Sequence, residues 1–161
     1  MRSISLVAVS ALALLQAGCP MVDFKELRFT HQKPAESDLL GSWTPTEATV
    51  GDIQHRGHYS SEIRPLFVLR RDHTFSMQNM PDWYFDPFGE SHGEVKSLEG
   101  TWQLASHKDL WTVWTIDLKE PSGVVAASIN VYRRKPPYLL FFRVGDPNDG
   151  YSMLFERIPQ P

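Results

Sequence analysis

Apolar and polar side chains alternate with a period of two along four separate stretches of this chain, and that pattern restricts its fold more than any other feature. Leu98, Gly100, Trp102 and Leu104 fall on one face, against Glu99, Thr101 and Gln103 on the other. Val125, Ala127, Ile129 and Val131 repeat the pattern, as do Tyr138, Leu140, Phe142 and Val144, and then Tyr151, Met153 and Phe155. Successive side chains of a strand point to opposite faces, so each stretch reads as a strand with one dry and one wet side. Strands of that kind belong to antiparallel sheets, because parallel strands are buried on both faces. Further runs rich in β-branched and aromatic residues bring the expected strands to eight: 39–44, 65–70, 74–80, 98–105, 110–118, 124–133, 138–144 and 151–158.

The connections are short. Arg71-Asp72-His73, Glu120-Pro121-Ser122-Gly123 and Asp146-Pro147-Asn148-Asp149-Gly150 carry the residues that tight turns require. Consecutive antiparallel strands joined this way predict an all-β, up-and-down meander of about eight strands. Closing it into a small barrel removes its exposed edges. Two segments, 45–64 and 81–96, fit no regular element.

The N-terminus has a different character. Met1-Arg2-Ser3 is followed by an apolar run from Ile4 to Leu15 and then by Gln16-Ala17-Gly18-Cys19. A bilayer span needs roughly 20 apolar residues, so this run has the length of a signal-peptide core, with a small-residue cleavage site directly after it. An ordinary secreted chain cleaved after Ala17 or Gly18 would leave Cys19, the only cysteine, without a disulfide partner in an oxidising compartment. The segment resembles bacterial lipoprotein precursors, with Gln16 standing where leucine is usual. That resemblance implies that Cys19 carries the lipid and becomes the first mature residue. It also implies, from Pro20 rather than aspartate at the next position, an outer-membrane address facing the periplasm.

Residues 1–18 are thus expected to form the signal, 19–38 a polar tether and 39–158 the barrel domain. A short helix around Phe24 to Phe29 is compatible with the tether. Loss of residues 1–18 removes Arg2 and leaves 15 basic against 19 acidic side chains, a net charge of −4. Such a balance does not favour nucleic acid, whose binding needs a clustered basic surface.

Gly41-Ser42-Trp43 opens the expected barrel and Gly100-Thr101-Trp102 recurs in mid-chain. A G-x-W on the first strand is similar to the lipocalin signature, and the two copies resemble the lipocalin-like domains of exported bacterial proteins. The Thr-Asp-Tyr motif of lipocalins is absent, with Asp149-Gly150-Tyr151 only a partial counterpart. The resemblance implies that Trp43 closes one barrel end against a basic side chain of the last strand, for which Arg157 is the candidate. Read as residues alone, Trp43 and Trp102 are core fillers.

Residues for chemistry are few. His55, His58, His73, Glu90 and His92 have no metal-motif spacing and read as solvated loop residues. Asp146, Asn148 and Asp149 suit a turn better than a calcium loop. No G-x-S-x-G occurs, and serines lack a base at motif spacing. The expectation is a non-enzymatic protein without cofactor or metal.

The segment Met80-Pro81-Asp82-Trp83-Tyr84-Phe85-Asp86-Pro87-Phe88-Gly89 is the richest in recognition chemistry. Two prolines would break sheet pairing, so it reads as a loop, either folded back as a plug over the barrel or displayed as a contact surface. Asp82, Trp83, Tyr84, Phe85, Asp86 and Phe88 are the candidate contact residues. The expected function is a membrane-anchored periplasmic binding protein for a small apolar or amphipathic ligand, since an eight-stranded barrel can hold one. The alternative is a protein-binding inhibitor or immunity lipoprotein of the cell envelope.

Overall fold

In the computed structural model, which describes residues 28–57, 59, 63–108, 112–146 and 151–159, eight antiparallel strands follow one another around a closed barrel. They are β1 (Gly41–Pro45), β2 (Leu66–Leu69), β3 (Thr74–Pro81), β4 (Val95–Lys108), β5 (Thr112–Lys119), β6 (Val125–Tyr132), β7 (Leu139–Arg143) and β8 (Ser152–Arg157). Each expected strand is present. Closure comes from β1, which pairs with β2 from Gly41↔Leu69 to Trp43↔Phe67 and with β8 from Trp43↔Arg157 to Pro45↔Phe155. The barrel is therefore up-and-down and lipocalin-like. The signal segment, Cys19, the first part of the expected tether with Phe24, His58, Leu110 and the turn residues 147–150 lie outside the described residues.

The period-two pattern becomes the inside and outside of the barrel. Trp43, Phe67, Phe75, Met77, Trp102, Ile116, Leu118, Ile129, Val131, Leu140, Phe142, Met153 and Phe155 are each at most 3% exposed. Rings pack through the centre, with Phe67 and Phe142 edge to face at 5.6 Å and Phe142 and Phe155 tilted at 4.5 Å, geometries that aromatic pairs prefer. The interior is thus occupied by packed apolar side chains.

Two short helices flank the first strand: α1 (Glu36–Leu39) before it and α2 (Glu47–Gly57) after it. Both G-x-W motifs serve the same barrel end. The Trp43 indole N–H donates to the Leu39 carbonyl at 2.9 Å, holding α1, and that of Trp102 donates to the Arg70 carbonyl at 3.0 Å, holding the β2–β3 turn. Gly41 adopts φ 121°, a region open to glycine. Gly100 answers a different demand, since a Cβ there would lie 2.0 Å from the Lys119 carbonyl oxygen.

The chain before α1 was expected to be tether, but its described part is docked. Beyond Thr115↔Asn130 strands β5 and β6 separate, and residues 28–30 take the space between them. The Thr30 amide donates to the Val131 carbonyl, the Arg133 amide to the Arg28 carbonyl and the Trp114 amide to the Thr30 carbonyl. Phe29, 4% exposed, meets Tyr132 and Phe141 edge to face at 5.6 and 5.2 Å. Tyr132, Leu139 and Phe29 form a second small core on the barrel's outer face. The apolar residues on the wet face of β6 and β7 are what hold this segment.

Candidate functional site

The up-and-down order puts α2, the 82–94 loop, the β5–β6 turn and the β7–β8 connection at one end of the barrel. This is the end opposite the two G-x-W motifs. Helix α2 starts where the Thr46 hydroxyl accepts from the Thr49 amide at 3.4 Å, an N-cap. It is tied to the wall by the Leu154 amide donating to the Thr49 hydroxyl at 3.0 Å. Ile53 is its buried anchor.

The 82–94 loop folds inward at its start. A one-turn 3-10 helix, Asp82–Tyr84, drops Trp83 to 4% exposure. It also sets Tyr84 against Phe142 at 5.4 Å and Phe85 at 5.0 Å. Burial pushes the Tyr84 phenol well above its usual range, so it stays neutral. Asp82, itself 4% exposed, holds the fold-back. Its carboxylate accepts from the Tyr59 hydroxyl, from the Trp83 amide at 3.0 Å and from the His92 amide at 2.8 Å. The Ser91 hydroxyl lies 3.4 Å away and His92 Nδ1 3.5 Å away. Burial opposes ionisation of Asp82, but these donors outweigh it and hold the carboxyl below the usual aspartate range. Tyr59 moves the other way, raised first by burial and then by its bond to Asp82.

The second half of the loop turns outward. The Asp86 carboxylate accepts from the amides of Phe88 at 2.8 Å and Glu90 at 3.1 Å, bonds that hold its pKa below the ordinary value. The result is a stiff turn that displays Phe88 at 75% exposure. Its backbone abuts Gly145, where a Cβ would stand 2.9 Å from the Phe88 carbonyl oxygen. The adjoining Val144 amide donates to the Tyr151 carbonyl. Over the Tyr151 ring, at 3.5 Å, lies the Arg56 guanidinium of α2, which also stands 6.0 Å from the Trp83 ring. Phe88, Tyr151 and Arg56 are thus all exposed at this end of the barrel.

The chain matches no known protein family, no curated protein and no solved structure. Its residues and geometry carry the functional reading.

The structure therefore divides the six candidate contact residues of the loop. Asp82 and Trp83 are buried, Tyr84 and Phe85 pack on the core, and Asp86 shapes the turn that presents Phe88. The first half of the loop packs as a plug, and the second half leaves Phe88 exposed. Arg56 and Tyr151 escaped the sequence reading because they lie far apart along the chain; only the barrel's closure, which lays α2 beside β8, joins them. Among the described residues the buried indole N–H of Trp83 has no hydrogen-bond acceptor, a costly state for a donor.

At the opposite end Arg157 stands across the β1–β8 ladder from Trp43, on the same face. Both border a cavity of about 290 Å³ with Asp38, Pro136, Pro137 and Tyr138. The basic side chain that the lipocalin resemblance assigned to the last strand thus shares this end of the barrel with Trp43. Among the described residues no three His, Cys, Asp or Glu side chains converge as metal ligands.

Proposed function

We propose that the protein is an exported, lipid-anchored envelope protein without catalytic function. In this reading its filled barrel is a scaffold and its loop end binds another protein. The observation that carries the reading is Phe88, three-quarters exposed on a turn fixed by Asp86 and neighboured by the Arg56–Tyr151 stack. Aromatic and arginine side chains held rigid at a surface supply most of the affinity in protein interfaces. A single exposed apolar side chain is ordinary on a monomeric surface; what supports the reading is that Phe88 is held on a fixed turn at the same barrel end as the Arg56–Tyr151 stack. The inhibitor or immunity class fits such a surface, and the anchor at Cys19 would keep it at the membrane, on the periplasmic side of the outer membrane.

Affinity purification from envelope extracts with the native chain, Phe88→Ala and Tyr151→Ala tests this. A partner held by the native protein should be lost from both variants while their melting stays unchanged. Equal capture by all three would remove the loop end from the interface. Labelling with a fatty-acid analogue tests the anchor separately, since Cys19→Ala should carry no label.

A second reading, a small amphipathic ligand, is favoured by the buried Trp83 N–H beneath the loop end, which has no acceptor among the described residues. An oxygen-bearing head group could accept from it, with the loop displaced. Native mass spectrometry of protein taken directly from the envelope would show a bound mass if this is right. A bare chain, together with a partner lost from the loop variants, would leave the protein-binding reading alone.

A further inference from the structure

We propose that the G-x-W end of the barrel is a basic face that lies against anionic phospholipid headgroups. It rests on the reading of Cys19 as the lipid-bearing residue. Charge is divided between the two ends. Among the described residues outside the strands, the G-x-W end comprises residues 28–40, the turn 70–73, the connection 133–138 and the exit 158–159. It holds seven lysines and arginines against three carboxylates. The opposite end, with residues 46–57, 59, 63–65, 82–94, 120–124, 144–146 and 151, holds two against eight. The whole chain is acidic, so the basic face is a matter of placement.

Arg133-Arg134-Lys135 forms its centre, a run of three exposed basic residues between β6 and β7, with Arg70-Arg71 on the β2–β3 turn of the same rim. The attachment of the chain supplies the second argument. Residues 28–30 are wedged between β5 and β6 at this rim and bonded to Val131, Arg133 and Trp114. Nine residues separate Arg28 from Cys19, a reach of at most roughly 30 Å. A lipid on Cys19 therefore pulls on the barrel from its basic end and keeps that end close to the bilayer. Basic side chains near an anionic surface each add roughly fivefold to membrane partition at low ionic strength, and an acyl anchor with a basic patch is a known two-part attachment. The acidic loop end, with Phe88, then points away from the membrane.

The test uses the full chain exported and purified from membranes, reconstituted on phosphatidylcholine vesicles with or without phosphatidylglycerol. A fluorophore is placed at Gln32→Cys or at Ser122→Cys, both exposed and at opposite ends. A headgroup-attached quencher is then added. On anionic vesicles at low salt the label at 32 should be strongly quenched and the label at 122 spared. The contrast should fall severalfold in high salt, on pure phosphatidylcholine, and when Arg133, Arg134 and Lys135 are changed to Glu. The pair Arg71→Glu and Lys135→Glu, read by the same quenching, serves where the triple change unfolds the barrel, since Arg133 also donates to the Pro137 carbonyl. Equal quenching at both labels, no quenching at either, or a contrast indifferent to lipid charge would overturn the proposal. Mass spectrometry of the same preparation scores acylation of Cys19 independently. An acylated chain without the contrast refutes the basic face alone, and a chain without lipid refutes the anchor.

Discussion

Replacing Asp82 by alanine should unlatch the loop that seals the barrel. The carboxylate satisfies two donors in buried residues, the Tyr59 hydroxyl and the Trp83 amide, each residue less than 10% exposed. The third strong donor, the His92 amide, belongs to an exposed residue and can rehydrate. A buried donor without an acceptor costs about 1–3 kcal/mol, so orphaning both would cost about 2–6 kcal/mol; the Ser91 hydroxyl, 2.9 Å from that of Tyr59, can accept in place of Asp82 and brings the expected loss to the lower half of that range. Asn, which keeps one acceptor oxygen, should lose less. For a domain of this size that is roughly 4 °C of melting temperature per kcal/mol. The pH dependence has a fixed sign. Because the folded pKa of Asp82 is depressed, its contribution is complete above the unfolded value, about 3.9, and fades as pH falls through the lower folded value. Thermal melts of the native protein and Asp82→Asn at neutral pH and stepwise towards pH 2 should therefore converge in acid. A melting difference below about 0.5 kcal/mol at neutral pH, or one that acid leaves unchanged, would refute the latch.

Further outcomes follow from the same geometry. Trp43→Ala, which empties a fully buried site and frees α1 from its indole bond, should cost about 3–5 kcal/mol in urea unfolding. Phe29→Ala should cost about 3 kcal/mol, and in hydrogen exchange it should expose the Arg133 and Trp114 amides that the segment protects. Gly100→Ala forces a methyl onto the Lys119 carbonyl at 2.0 Å and should destabilise by at least 1–3 kcal/mol, whereas Gly51→Ala, with open space around it inside α2, should gain up to about 1 kcal/mol.

How far the sequence could be read depends on whether a side chain's role is set by its neighbours along the chain or across space. Strands with an alternating dry face, such as Leu140 and Phe142 against Phe141 and Arg143, announce themselves because the pleat fixes which residues share a side. Helix α2 did not, since among its residues 47–56 only Thr49 and Ile53 are buried; a helix lying on a barrel rim needs no apolar stripe. Its one local sign was Thr46 followed three residues later by Thr49. The docked segment was hidden for the converse reason. Phe29 belongs to no sustained apolar period, and the surface that buries it, Tyr132 with Leu139 and Phe141, sits on the side of β6 and β7 that alternation assigns to water.

The same distinction separates scaffold from site. Phe67, Phe75, Phe142 and Phe155 pack inside the barrel, and their packing is a sum of many weak contacts that no short motif encodes. What the barrel offers instead is a fixed relation between its ends, because every turn of an up-and-down barrel lies at one rim or the other. Arg133-Arg134-Lys135 and the wedge at residues 28–30 occupy one rim, Asp86, Phe88, Arg56 and Tyr151 the other. A filled, edgeless barrel is stiff enough to keep those rims apart. The proposed anchor at one rim and the proposed recognition loop at the other would both draw on that stiffness.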